Sequence, residues 1–181
     1  MKQIAFLFAS GVFARYVNSI CDRTAEQSWV YTAKSLPDIG HSLLPHLSKY
    51  YQWNDFPVFL LGLYALLRLR EKHQLIKKMS IIWVLRAITC VSTILPSSFT
   101  NEMRQNPSTI LHLNSAKFDS IFSGHAAFYC LVFRLFWKQD PHHAKIKFLF
   151  LFSVFSSLFA IASRFHYTVD VVLAWIIGYL I

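Results

Sequence analysis

Acidic residues are scarce in this sequence: nine Asp and Glu stand against 18 Lys and Arg, a formal net charge of +9. On a soluble protein such an excess would suggest nucleic acid as a partner. Here the cations gather between apolar runs, as Arg68, Arg70, Lys72, Lys77 and Lys78 do. That is the pattern of cytoplasmic membrane loops, and it argues against nucleic-acid binding. Cysteine is equally sparse, and Cys21, Cys90 and Cys130 lack the spacing of a metal site. Two of them lie inside apolar runs and read as small core residues. There is no internal repeat and no low-complexity tract. A convincing cleavage site is missing after Met1 to Ser19, and Arg15 interrupts that run, so it is expected to be a retained span rather than a signal peptide.

What is abundant is apolar surface. Hydrophobic residues make up 55% of the chain and aromatics 17%, above ordinary globular usage. This is the composition of a membrane protein, and 181 residues suit a single domain, 1–181. Six apolar runs can be drawn: Ile4 to Ile20, Phe56 to Leu69, Met79 to Leu95, Ile121 to Trp137, Phe148 to Ser163, and His166 to Ile181. The expected fold is all-α, with six transmembrane helices around a cavity open to the non-cytoplasmic face. Several runs fall short of the roughly 20 residues that cross a bilayer core, so flanking residues must extend them or the bilayer must thin.

The links after the second and fourth runs are short and basic. The links after the first and third are longer and balanced in charge. The positive-inside rule places the basic links and both termini in the cytoplasm and the mixed links in a lumen or periplasm. Asp119 and His125 then open the fourth run, and His166 and Asp170 the sixth, all on the outward side. In the first outer link, Ile39 to Leu47 reads as a short amphipathic segment on the membrane surface.

Ionisable groups at the edges of apolar segments are costly, which makes function the default reading. His166 and Asp170 are four apart, so a helix would put them on one face, where the carboxylate holds one imidazole nitrogen and frees the other as nucleophile or general base. Arg86, within the third run, and Arg164, beside His166, add guanidiniums with forked donors for phosphate oxygens. The inventory is that of displacement at phosphorus through a phosphohistidine: one histidine attacks, the other protonates the departing alkoxide. For Arg15, and for His41, His46, His73, His112, His142 and His143, structural or solvated roles are expected.

Phe122-Ser123-Gly124-His125 and His166-Tyr167-Thr168-Val169-Asp170-Val171 resemble two signature motifs of the sphingomyelin synthase family, a branch of the type 2 phosphatidic acid phosphatase and lipid phosphotransferase superfamily. Leu36-Pro37-Asp38, and Leu85-Arg86-Ala87-Ile88-Thr89 followed by Leu95-Pro96, resemble two further motifs of that family in the same order. The resemblance implies His166 as nucleophile, Asp170 orienting it, and His125 as the acid that protonates a diacylglycerol leaving group and then the base on the acceptor hydroxyl. It matches Arg86 to a third-span arginine and Asp119 to a supporting acid, with Glu102 added from the outer loop. It implies transfer of phosphocholine or phosphoethanolamine from a glycerophospholipid to ceramide or a diacylglycerol-like acceptor. No metal or other cofactor is expected. Lys117-Phe118 and Ala126 depart from the family pattern and bear on headgroup and acceptor choice. The alternative is a lipid phosphohydrolase, phosphatidic acid phosphatase-like or phospholipase C-like, in which the same triad passes the phosphoryl group to water. Ala87 after Arg86 departs from the Arg-Pro of that hydrolytic branch. A third reading is a catalytically silent lipid-binding protein.

Overall fold

The computed structural model describes residues 2–27, 34–96, 98, 121–142 and 144–181. Glu102, Asp119, Lys117, Phe118, His112 and His143 lie outside them. Among the described residues the regular structure is helical: α1 (Lys2–Glu26), a short α2 (Ile39–Leu43), a 3-10 helix (Ser48–Asn54), α3 (Asp55–Arg68), α4 (Lys72–Ser92), α5 (Gly124–Gln139), α6 (Lys145–Ala162) and α7 (Thr168–Leu180). Each of the six apolar runs thus contains one long helix.

Two of these helices, over Gln3–Glu26 and Lys145–Ala162, are long and apolar enough to cross a membrane. The others are shorter or more charged. α3 has 14 residues and α7 has 13, which at 1.5 Å per residue span about 20 Å of a bilayer core of about 30 Å.

Local chemistry sets the helix starts. Ser123 caps α5, its hydroxyl accepting from the Ala126 N–H at 3.2 Å. At α7, the Asp170 carboxylate reaches back to accept from the Tyr167 N–H at 3.1 Å, the reciprocal half of a capping box. Helix α7 therefore begins at Thr168, and His166 lies in the preceding turn. The sequence reading placed His166 and Asp170 on one helical face; the extended backbone of Tyr167 (ψ 157°) instead ends the turn just past His166.

α5 is the central helix. Ala126, Ala127, Leu131 and Val132 are essentially inaccessible and pack with Val171 and Ala174 of α7, Leu61 and Ala65 of α3, and Ile82 of α4. Close contact with α7 depends on Gly178, where a Cβ would lie 2.8 Å from the Ala127 carbonyl oxygen. α1 packs against α4 through a smaller cluster of Ala14, Val17, Cys21, Ala87 and Cys90. The outer surface of the bundle is rich in large apolar side chains, among them Phe8, Leu67, Phe148, Phe155 and Leu180, each more than two-thirds exposed. A surface of that kind suits lipid or protein cover rather than water.

Candidate active site

Four chain segments meet at one end of the bundle: the start of α3, the start of α5, the turn between α6 and α7, and the upper part of α4. The first contact is between His125 and Asp55, whose Nε2 and Oδ1 atoms are 2.9 Å apart. Next to it, the Asn54 amide donates to the Ser163 hydroxyl at 2.9 Å. The start of α3 is thereby fastened to both histidine segments. Ser123 N–H donates to the Asp170 carbonyl at 3.0 Å, joining the start of α5 to that of α7.

His125 and His166, forty-one positions apart in sequence, have ring centroids 6.4 Å apart. Phe165 stands edge-on to both, 5.2 Å from each ring. His166 Nδ1 is 3.7 Å from Asp170 Oδ2, ion-pair range and longer than a hydrogen bond; that orientation turns Nε2 away from the carboxylate. Asp170 is fully buried and His166 nearly so. Each imidazole thus has its own carboxylate.

Backbone strain sits beside both histidines. Phe122 and Arg164 have φ of 61°, a left-handed conformation that costs a non-glycine residue roughly 1–2 kcal/mol. Such outliers cluster at functional sites because the surroundings must hold them there.

The two arginines are placed differently. Arg86 is buried on α4, its side chain lying against Gly124, where a Cβ would meet Arg86 Cδ at 3.5 Å. Gly124 is thus in ordinary van der Waals range of the Arg86 side chain, which runs beside the start of α5. Arg164 donates from Nη2 to the His41 carbonyl at 2.6 Å, while its buried Nη1 has no hydrogen-bond partner among the described residues.

His41 corrects the sequence reading. Rather than being solvated, its Nε2 lies 3.1 Å from the His166 carbonyl oxygen and its ring rests 5.4 Å from that of Tyr167. His46, His73 and His142 are exposed, as expected. Burial is the largest influence on His41 and lowers its pKa from the ordinary 6.5, against the raising effect of the His166 carbonyl and Asp38. The segment from Leu36 to Leu47 acts as a strap over the start of α7, with Ile39 and Leu43 of its short helix left exposed. Asp38 anchors it, accepting from the Thr168 N–H at 2.8 Å, the Thr168 hydroxyl at 2.7 Å and the His41 N–H at 2.9 Å. Burial alone would raise the Asp38 pKa, but those donors together hold it below the ordinary 3.8. Tyr167 completes the strap, its hydroxyl accepting from Leu36 N–H and donating to the Pro96 carbonyl, both at 2.9 Å.

Of the expected site residues, His125, His166, Asp170, Arg86 and Arg164 lie at this end; Asp119 and Glu102 fall outside the described residues. Asp55, Phe165, His41 and Asp38 were not singled out for the site. Asp55 carried a usable signal, since it too is an acid opening an apolar run. Among the described residues no group of three or more His, Cys, Asp or Glu has the arrangement of a metal site.

A helical protein with two histidine–carboxylate pairs at one end of its bundle has the groups for acid–base and nucleophilic work on a phosphate ester. In agreement, residues 118–181 match the family model described as PAP2 superfamily C-terminal. That stretch holds both histidines and Asp170, and the match supports the type 2 phosphatidic acid phosphatase superfamily and an enzyme of lipid phosphatase or phosphotransferase type. No curated protein matches the chain.

Proposed function

We propose that the protein is an integral-membrane lipid phosphotransferase that moves a phosphocholine or phosphoethanolamine headgroup from a glycerophospholipid to ceramide or a similar lipid alcohol. The observation that carries this reading is the pairing of His166 with Asp170 and of His125 with Asp55, with the two imidazoles 6.4 Å apart. In-line displacement needs roughly 3–3.5 Å between attacking atom and phosphorus, and ring centroids 6.4 Å apart would let one phosphoryl group be reached from both histidines.

His166 Nε2 attacks phosphorus and forms the N–P bond as the P–O bond to diacylglycerol breaks. His125 gives its proton to the departing alkoxide, and Asp55 stabilises the imidazolium from which that proton comes. In the second half, the acceptor hydroxyl loses its proton to His125 while its oxygen attacks phosphorus and releases His166. Arg86 and the buried, unpartnered Nη1 of Arg164 supply donors for the phosphoryl oxygens, whose charge must be balanced in a dry site. Asp119 and Glu102 are supporting acids from the outer loop. In this reading all six long helices cross the membrane, the short ones with help from their flanks, and the histidines face the periplasm or lumen.

Water in place of the lipid alcohol would make the same site a phosphohydrolase. Ala87 after Arg86, which departs from the Arg-Pro of the hydrolytic branch, favours transfer. The deciding experiment supplies headgroup-labelled phosphatidylcholine and phosphatidylethanolamine to the purified protein with and without ceramide, beside His166→Ala, and resolves labelled products by mass spectrometry. A sphingophospholipid that requires both ceramide and His166 is expected. A water-soluble labelled headgroup, released without ceramide yet dependent on His166, would replace transfer by hydrolysis.

A further inference from the structure

The end of the bundle opposite the histidines gathers cations from α4 and α5. Arg134 of α5 lies over the Tyr179 ring of α7, 5.2 Å from guanidinium carbon to centroid. Its Nη1 is buried and has no hydrogen-bond partner among the described residues. Lys78 of α4 experiences the charges of Arg134, Lys138 and Lys77, and no carboxylate is among the groups acting on it. Its ammonium donates to the main-chain oxygen of Ile181. Like charges gathered where hydration is restricted repel one another, and an anion among them removes that cost. From the cluster an apolar strip leads away along α7: Tyr179, Ile176 and Val172 are 63, 50 and 51% exposed and share one helical face at spacings of three and four.

We propose that Lys78, Arg134 and Lys138 form a second, non-catalytic site for an anionic phospholipid, with its phosphate on the cations and an acyl chain along the Tyr179–Ile176–Val172 strip. Sign and shape select the ligand class. A free phosphate would answer the charge but leave the strip uncovered. A choline headgroup would bring a further cation toward Lys78, on which only cations act. The basic end is also the one that the positive-inside rule turns toward the anionic cytoplasmic leaflet. The inference rests on the membrane reading and is independent of the phosphohistidine chemistry.

Native mass spectrometry of the full chain in detergent, with equimolar phosphatidylglycerol and phosphatidylcholine of matched acyl chains, tests it. Phosphatidylglycerol should be retained about tenfold over phosphatidylcholine, and Lys78→Gln/Lys138→Gln should bring the two to parity. Both lysines are at least partly exposed, so the double variant is expected to fold, and its charge-state distribution reports whether it has. Arg134→Gln should act in the same direction. Equal retention by the wild type, or an unchanged preference in the folded double variant, overturns the proposal. Displacement of the lipid by an equal concentration of inorganic phosphate would make the ligand a soluble anion and overturn the lipid assignment. His166→Ala should retain phosphatidylglycerol as the wild type does; loss of the preference there would put the lipid in the active site and overturn the second site.

Discussion

His125 owes its position to residues that do not border it in sequence. Asp55 holds its Nε2 at 2.9 Å, and Phe165 sets its ring edge-on at 5.2 Å. If Asp55 stabilises the imidazolium, Asp55→Asn should lower turnover by about 10²-fold or more while leaving substrate KM within a small factor, because a general acid contributes 10²–10⁴ to rate rather than to binding. Steady-state kinetics on labelled phospholipid separate the two quantities; a change confined to KM would make Asp55 a binding residue. At this scale the sequence was legible wherever an ionisable group interrupted an apolar run. His125, His166, Asp170 and Arg86 stood out for that reason, and Asp55 obeyed the same rule without a motif to mark it. Phe165 is one aromatic among 17 phenylalanines, and periodicity says nothing of which one will lie between two imidazoles. His41 resembled the solvated histidines because its partner is the carbonyl of a residue 125 positions away.

Among the elements, the strap and the α5–α7 contact behave differently under perturbation. Asp38 has a pKa below its ordinary 3.8, so its contribution to stability is fully present above that value and is lost as pH falls through the lower folded value. His41, with a pKa below 6.5, acts in the same direction: below pH 6.5 the unfolded segment takes up a proton more readily than the folded one. Hydrogen exchange of residues 36–47 should therefore quicken relative to the rest of the chain as pH drops from 7, first below 6.5 through His41 and again below 3.8 through Asp38. His41→Gln should remove the part of that rise that begins near 6.5. A uniform response along the chain would show that neither residue holds the strap. The α5–α7 contact is steric rather than ionic. Gly178→Ala places a methyl 2.8 Å from the Ala127 carbonyl oxygen and 3.0 Å from Cys130 Cβ, and should cost about 1–3 kcal/mol through overpacking, read as a lowered thermal midpoint in detergent. The six long helices were legible as apolar runs, but the beginning of α7 was not. It is decided by Asp170 folding back on Tyr167 N–H and by Asp38 approaching from a remote segment, and neither contact has a periodicity.

For the molecule as a whole, composition points to a membrane and charge asymmetry to a sidedness, whereas helix length and apolarity together qualify two spans among the described residues. Of the other long helices, α3, α5 and α7 have 14, 16 and 13 residues, and α4, long enough at 21, carries Lys72, Lys77, Lys78 and Arg86. The proposed topology can be tested on sealed vesicles with a membrane-impermeant thiol reagent, in a background without the three native cysteines. Ser48→Cys should react from the non-cytoplasmic side and Asp140→Cys from the cytoplasmic side only. Labelling of both from one side would remove the alternation of spans on which the orientation depends.

The Tyr167 hydroxyl joins a residue 131 positions upstream to another 71 positions upstream. Contacts of such separation are slow to form, because a long loop must close before they yield any stabilisation. During synthesis the strap and the end of α4 must wait, unanchored at this point, until Tyr167 emerges. Assembly of this end is therefore a late act of folding, and an arrested chain lacking α7 would keep several apolar helices without the Asp170 that pairs with His166.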